Sequence, residues 1–116
     1  MKVGKAYKFD SAHFITGHLK CGVMHGHTYH VLVMVKGEVE ADGFVIDFNE
    51  LDDVVKPIIN SLDHKTLNKI LPNPTCELLA EFLLSQIEVV LPEFNFSVRV
   101  QEGDGGWAEA SETSEA

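Results

Sequence analysis

The stretch that decides the fold is residues 21–36, CGVMHGHTYHVLVMVK, with one cysteine, three histidines and many β-branched or aromatic residues. This enrichment from residue 25 onward predicts a strand over 25–36. Residues two apart on a strand share a face, so the imidazoles of His25 and His27 are expected roughly 6–7 Å apart on one side. His30 lies three positions after His27 and is expected on the opposite face. His25 and His27 can therefore bind one metal ion, and His30 is excluded from that site.

A third metal ligand has three candidates in the neighbouring sequence. A catalytic zinc ion usually takes three protein ligands and keeps one position open. His13, His18 and Cys21 all precede the pair. His13 has the odd parity of the apolar residues in the first predicted strand, so it is expected to point inward, as a buried core histidine also would. The residues alone leave the choice open.

The remaining elements follow from hydrophobic periodicity. Alternation predicts a first strand over Val3–Phe9, a short third strand over Phe44–Asp47 after the polar turn 37–43, and a last strand over 94–101. Helical spacing predicts one helix along the stripe Leu51, Val54, Val55, Ile58, Ile59 and Leu62, and a second along Leu78, Leu79, Phe82, Leu83, Ile87, Val90 and Leu91.

The ends of the two helices carry capping signals. Asp47 or Asn49 is predicted to cap the first helix and Thr75 the second. Pro57 conflicts with the first helix, since it lacks a backbone donor and is expected to kink it. The order βββ-α-α-β predicts an α+β fold, a four-stranded antiparallel sheet with two helices on one face. We expect a single domain over residues 1–116 with a flexible acidic tail from about residue 110.

Composition narrows the function classes. The net charge is −9 and the few basic residues are scattered, which argues against nucleic-acid binding. No apolar run is long enough to cross a membrane, and the N-terminus has no signal-peptide pattern, so we expect a cytoplasmic protein without membrane partners. Cys21 and Cys76 are then expected to be free thiols.

Two further groups are candidates for chemistry. Asp63 and His64 are adjacent at the end of the first helix, where they could share a proton in acid–base catalysis or simply face the helix dipole. Glu102 ends the last strand on the parity of its apolar residues. An inward carboxylate needs a partner, and a ligand edge with two parallel N–H donors would suit it. The alternative is a solvated strand end.

Five motifs occur together in a familiar order: FDSAHF (9–14), CGVMHGH (21–27), LDHKTLN (62–68), NPTCE (73–77) and VRVQEG (98–103). In order and spacing they resemble the 6-pyruvoyl-tetrahydropterin synthase superfamily. The three residues between Cys21 and His25 are most similar to its 6-carboxy-5,6,7,8-tetrahydropterin synthase branch, of the queuosine and archaeosine (7-deazaguanine) pathway. The resemblance covers nearly the whole chain, from about residue 4 to residue 102.

The resemblance implies roles for the residues that match those motifs. It implies a tunnelling fold (T-fold), assembled as a homohexamer of two stacked trimers, with active sites at subunit interfaces. It implies Zn²⁺ held by His13, His25 and His27, a catalytic group of Cys21, Asp63 and His64, and a pterin site formed by Glu102, Thr75 and Glu77.

The implied activity is a zinc-dependent lyase reaction. It converts 7,8-dihydroneopterin triphosphate to 6-carboxy-5,6,7,8-tetrahydropterin with release of acetaldehyde and triphosphate. The alternatives are a pyruvoyl-forming enzyme or a dihydroneopterin-aldolase-like enzyme of the same fold, or a non-catalytic zinc-binding assembly subunit. Cys76 departs from the pattern, since relatives commonly have Ser or Thr there, and the segment after Glu102 has no role that can be transferred.

Overall fold

The computed structural model describes residues 1–111 and shows four strands, two α-helices and one 3₁₀ turn. The strands form one antiparallel sheet in the order β1-β2-β3-β4. The α+β class and the antiparallel sheet with two helices are confirmed. The elements are β1 Lys2–His13, β2 His25–Lys36, α1 Phe48–Leu62, the 3₁₀ turn Leu67–Lys69, α2 Cys76–Val90, β3 Asn95–Glu102 and β4 Trp107–Ser111.

The predicted element order is wrong in one respect. Residues 44–47 form no strand, because their surroundings bond within a turn: Glu40 N–H donates to the Phe44 carbonyl at 2.9 Å. The fourth strand is instead β4, which lies in the segment after Glu102, where no strand was predicted. The order is therefore ββ-α-α-ββ. Small alanines alternate with polar residues there, a weak strand signal. Residues 110 and 111, placed in the predicted tail, belong to β4, and the rest of that tail, 112–116, lies outside the described residues.

Both helices begin where capping chemistry predicted. The Asp47 carboxylate accepts from Asn49 N–H at 2.8 Å at the start of α1, and Thr75 Oγ1 accepts from Leu78 N–H at 3.2 Å at the start of α2. Helix α1 runs through Pro57, which lies on its exposed face. The carbonyl that loses its donor there can therefore be satisfied by water.

The core lies between one face of the sheet and the two helices. Alternate residues of the central strands β2 and β3 point into it, as do the buried stripes of α1 and α2. Burying each large apolar side chain contributes roughly 1.5–3 kcal/mol before the conformational entropy cost. The same face continues beyond this core to the ends of β1, β2 and β3, where the candidate functional residues lie. Among residues 1–111, no helix combines the length and the apolar character that crossing a membrane requires.

Candidate metal centre and active site

Three histidines meet at the end of the sheet where β1 and β2 join the loop 14–24. Antiparallel pairing places His13 opposite His25 and Ser11 opposite His27. The Nε2 atoms of His13 and His25 are 3.1 Å apart, and one nitrogen from each of the three rings lies within 4.8 Å of the others. The exposed His30 points to the other face, as predicted. Of the candidates His13, His18 and Cys21, it is therefore His13 that strand pairing places beside His25 and His27.

The second ring nitrogens of His13 and His25 are already bound to backbone carbonyls. His13 Nδ1 donates to the Pro74 carbonyl at 2.8 Å, and His25 Nδ1 donates to the Val23 carbonyl at 2.6 Å. These bonds place the proton of each ring on Nδ1, so each Nε2 has a free lone pair. Two lone pairs facing each other at 3.1 Å repel unless they share a cation. The pair is therefore arranged as metal ligands.

His27 completes a donor set that fits a metal ion. Its Nε2 is buried and has no hydrogen-bond partner among residues 1–111, a costly arrangement for a polar atom without a ligand. Burial lowers the pKa of His27, against the opposing effect of Glu102. A lowered pKa favours the neutral imidazole, which is the form that binds metals. Three neutral imidazole nitrogens are a common ligand set for catalytic zinc.

A cavity of about 350 Å³ lies next to the histidines, and most of the predicted site residues line it. It is lined from β1, the loop 14–24, the start of α2, the end of β3 and the start of β4. The lining residues are His13, Ile15, His18, Cys21, Thr75, Cys76, Glu77, Glu102, Gly106 and Trp107. The predicted pterin residues and the predicted catalytic cysteine thus share one cavity with His13, one of the three candidate metal ligands.

Glu102 lies between the histidines and α2. Its Oε2 is 3.4 Å from His13 Nε2, and its side chain is 29% exposed. The thiol of Cys76 lies close to the Glu102 carboxylate. Burial, together with the charges of Glu102 and Glu77, raises the pKa of Cys76 to about 12, so the thiol stays protonated as a donor. Cys76 can therefore provide the contact that a hydroxyl was expected to make.

Sequence reasoning missed Tyr29 at this site. Its hydroxyl is buried and has no hydrogen-bond partner among the described residues. Burial raises its pKa, and the nearby Glu102 and Cys76 add to the effect. The signal was available, since Tyr29 has the parity of His25 and His27 on β2 and pairs with Glu102 on β3.

The predicted partners of Cys21 lie elsewhere in the chain. Asp63 Oδ2 accepts from His64 Nδ1 at 2.8 Å, and Asp63 Oδ1 accepts from Asp10 N–H at 2.9 Å. The Asp10 N–H, followed by the His64 contact, lowers the pKa of Asp63. His64 borders a different cavity, which His27 also lines but Cys21 does not. The predicted contact between Asp63 and His64 is present, but within one chain neither residue lines the cavity that contains Cys21 and Glu102.

Comparison with known proteins identifies the family of the chain. Residues 2–113 match the family model of 6-pyruvoyl tetrahydropterin synthase. A protein of Archaeoglobus fulgidus that carries the provisional name 6-carboxy-5,6,7,8-tetrahydropterin synthase is 37% identical over 112 residues, covering 94% of each chain. A dihydroneopterin monophosphate aldolase of Pyrococcus furiosus is 40% identical over 84 residues, covering 72% of each.

Solved structures support the fold. The 6-pyruvoyl tetrahydropterin synthase of Caenorhabditis elegans has a TM-score of 0.87, is 20% identical in sequence, and covers 97% of this chain and 96% of its own. The chain therefore belongs to the 6-pyruvoyl tetrahydropterin synthase family, which confirms the resemblance seen in its motifs. As a member of this family of tetrahydropterin synthases, it is an enzyme.

Proposed function

We propose that this enzyme is a zinc-dependent lyase that converts 7,8-dihydroneopterin triphosphate and one water molecule to 6-carboxy-5,6,7,8-tetrahydropterin, acetaldehyde and triphosphate. One observation carries the proposal: three converging histidine nitrogens lie beside Glu102, with Cys21 lining the cavity that Glu102 and His13 share. The relative of Archaeoglobus fulgidus, which matches this chain over 94% of each chain, carries the provisional name of this activity.

Glu102 is the residue that would hold the pterin. Its half-exposed carboxylate can accept two parallel N–H bonds from the aminopyrimidinone edge, a strong and directional contact. The Cys76 thiol lies close to the same carboxylate, where it would donate a hydrogen bond and help to orient it. Thr75 and Glu77 border the same cavity, where they would contact the ring from the start of α2. This end of the cavity therefore determines where the substrate side chain lies.

The other end of the cavity would carry the chemistry. Zinc held by His13, His25 and His27 would stabilise negative charge on the side-chain oxygens as a Lewis acid. Cys21 is half-buried and lines the cavities on both sides, those that contain His13 and His25. In this position its thiol can move a proton at the side-chain carbons of the substrate. Lys20 borders the cavity that contains Cys21 and His25 and would face the triphosphate.

Asp63 and His64 would act from a neighbouring subunit. Within one chain His64, which Asp63 contacts, borders a cavity that Cys21 does not line. His64 lies two residues beyond the end of α1, its side chain is 78% exposed, and its backbone has a φ of 54°. A homohexamer with active sites between subunits would bring this exposed pair to the Cys21 of the next chain. Asp63, held ionised by the Asp10 N–H, would orient the imidazole.

The activity is tested by incubating the zinc-loaded protein with 7,8-dihydroneopterin triphosphate and identifying the products. Acetaldehyde together with the 6-carboxy product is expected. A 6-pyruvoyl product would replace this proposal by the other synthase activity, and zinc binding without any turnover would indicate a non-catalytic subunit. The role of Cys21 is tested with Cys21→Ala, which should keep zinc and lose turnover. Loss of zinc would instead make Cys21 a ligand.

The intersubunit arrangement has its own test. Cys21→Ala and His64→Ala are each expected to be inactive as pure oligomers. Mixed oligomers formed by unfolding and refolding the two variants together should regain about a quarter of wild-type turnover, since half of the random neighbours supply each intact group. No recovery in oligomers that are shown to be mixed would place both groups in one subunit.

A second candidate is the aldolase-type cleavage of dihydroneopterin monophosphate. The relative from Pyrococcus furiosus that carries this name favours it, at 40% identity over 72% of the chain. The same protein preparation incubated with dihydroneopterin monophosphate separates the two. Cleavage of the monophosphate at a kcat/KM above that for the triphosphate would favour the aldolase.

A further inference from the structure

The loop between β1 and β2 holds Cys21 by contacts of its own. His18 Nδ1 accepts a hydrogen bond from Cys21 N–H at 2.9 Å, and Ile15 N–H donates to the Cys21 carbonyl at 2.6 Å. Both backbone polar groups of Cys21 are therefore bound within the loop. No strand pairing reaches this point, since β1 ends at His13 and β2 begins at His25. The position of the thiol thus depends on these local bonds.

The turn from residue 18 to residue 22 is tight enough to require glycine at its end. A Cβ atom at Gly22 would overlap the carbonyl oxygen of His18. A side chain at position 22 must therefore push the two ends of the turn apart, and with them the His18 ring from the Cys21 N–H. Gly22 and the imidazole acceptor are independent features that hold the same conformation.

The side chains of this turn face the proposed active site. His18 and Cys21 both line the cavity of about 350 Å³ that contains Glu102 and His13. The bond from Cys21 N–H uses the Nδ1 lone pair of His18, so the neutral ring carries its proton on Nε2. The imidazole cannot use Nδ1 to take a proton from the thiol while that bond exists. The geometry therefore favours a role in position over a role in proton transfer.

We propose that His18 is a positioning residue for Cys21: its imidazole accepts from the Cys21 N–H and fixes the thiol at the active-site cavity. This proposal rests on the proposed catalytic role of Cys21. Misplacing a reacting group by about 1 Å can cost about a hundredfold in rate. The loop is therefore part of the catalytic apparatus, although its histidine touches no reacting atom.

Four variants separate position from chemistry. His18→Ala removes the acceptor. His18→Asn keeps one, because the amide Oδ1 occupies the place of the imidazole Nδ1 relative to the backbone. Gly22→Ala opens the same turn and leaves the imidazole intact. His30→Ala removes an exposed histidine from the opposite face of the sheet and is the matched control.

Amide hydrogen exchange at Cys21 is the direct readout, and kcat, KM and zinc content are the functional ones. In His18→Ala and Gly22→Ala, exchange at Cys21 should rise about tenfold and kcat should fall about ten- to a hundredfold. KM and zinc content should stay near wild type. His18→Asn and His30→Ala should resemble wild type in every measurement.

The alternative outcomes each decide the matter. Unchanged Cys21 exchange in His18→Ala would show that the bond does not hold the turn. Raised exchange with wild-type kcat would show that catalysis does not need it. If His18→Asn loses as much kcat as His18→Ala, the imidazole itself takes part in the chemistry. If the wild-type protein shows no turnover, the proposed function has failed, and Cys21 exchange in the four variants alone decides whether His18 fixes the thiol.

Discussion

The proposed metal-binding histidines and the proposed catalytic cysteine are held by different kinds of structure. His13 and His25 face each other across paired strands, and carbonyl groups fix both rings. Cys21 lies in a loop, where one imidazole and one tight turn hold it. Strand pairing is cooperative and rigid, whereas a loop can be displaced by the loss of a single bond. The histidines proposed to bind zinc are therefore held by strand pairing, whereas the thiol proposed to move protons is held by a loop.

The largest expected effect is the loss of the strand-borne site. His13 is 1% exposed and bonds to Pro74, so His13→Ala removes a ligand and a buried contact together. Zinc content should fall from about one per chain to near zero, and turnover should drop by at least about a thousandfold. Metal analysis and steady-state kinetics measure both.

His30→Ala serves as the control for this substitution, because His30 is exposed on the opposite face. Retention of zinc in folded His13→Ala would break the comparison. It would mean that the loop supplies a ligand through His18 or Cys21, the candidates that sequence alone left open.

A smaller effect is expected at the pterin end. Glu102→Gln keeps the shape of the side chain but loses the charge that strengthens two hydrogen bonds to a ligand edge. KM should rise about a hundredfold while zinc content stays unchanged.

Glu109→Gln is the matched control for Glu102→Gln. Glu109 is equally exposed, at 29%, and its carboxylate binds Arg99 at 3.1 Å instead of lining the cavity. It should keep wild-type KM. Loss of zinc in Glu102→Gln would show that Glu102 belongs to the metal site instead.

The two cysteines extend the comparison, because Cys21 lies in the loop 14–24 and Cys76 lies in helix α2. Cys76 is 9% exposed at the start of α2, and its pKa is raised to about 12. A raised pKa keeps the thiol protonated and unreactive at lower pH, so its alkylation should accelerate as pH rises towards 12. At pH 8, iodoacetamide should modify Cys21 at least about a hundredfold faster than Cys76. Peptide mass spectrometry over time measures both rates, and equal rates would contradict a buried Cys76 donor.

The smallest effect concerns the cap that presents the pterin residues. Thr75→Ala removes the side-chain acceptor of the Leu78 N–H. The free energy of unfolding should fall by about 1 kcal/mol, measured by urea denaturation. Ser85→Ala, on the same helix, removes an exposed hydroxyl that bonds to the Phe82 carbonyl and should change stability by less than about 0.5 kcal/mol. Equal losses would show that the cap is not the stabilising feature.

Periodicity was a reliable guide where side chains alternate clearly between core and solvent. It located β2 and both helices, and it separated His30 from His25 and His27. It failed at residues 44–47, where three apolar residues precede Asp47, because Phe44 bonds within a turn and Asp47 caps α1. It also missed β4, because alanine is small and carries little pattern. Sheet pairing gives that strand its stability, and pairing is not visible in a local sequence window.

The sequence by itself determined which residues share a face, where the helices are capped, and that His25 and His27 lie on the face opposite to His30. Short-range sterics and periodicity set these properties. Only the tertiary structure decided that His13 lies beside His25 and His27, that Cys76 and Tyr29 lie near Glu102, and that His64 borders a cavity that Cys21 does not line. These relations join residues far apart in the chain, and the antiparallel register and the packing of α2 on the sheet fix their distances.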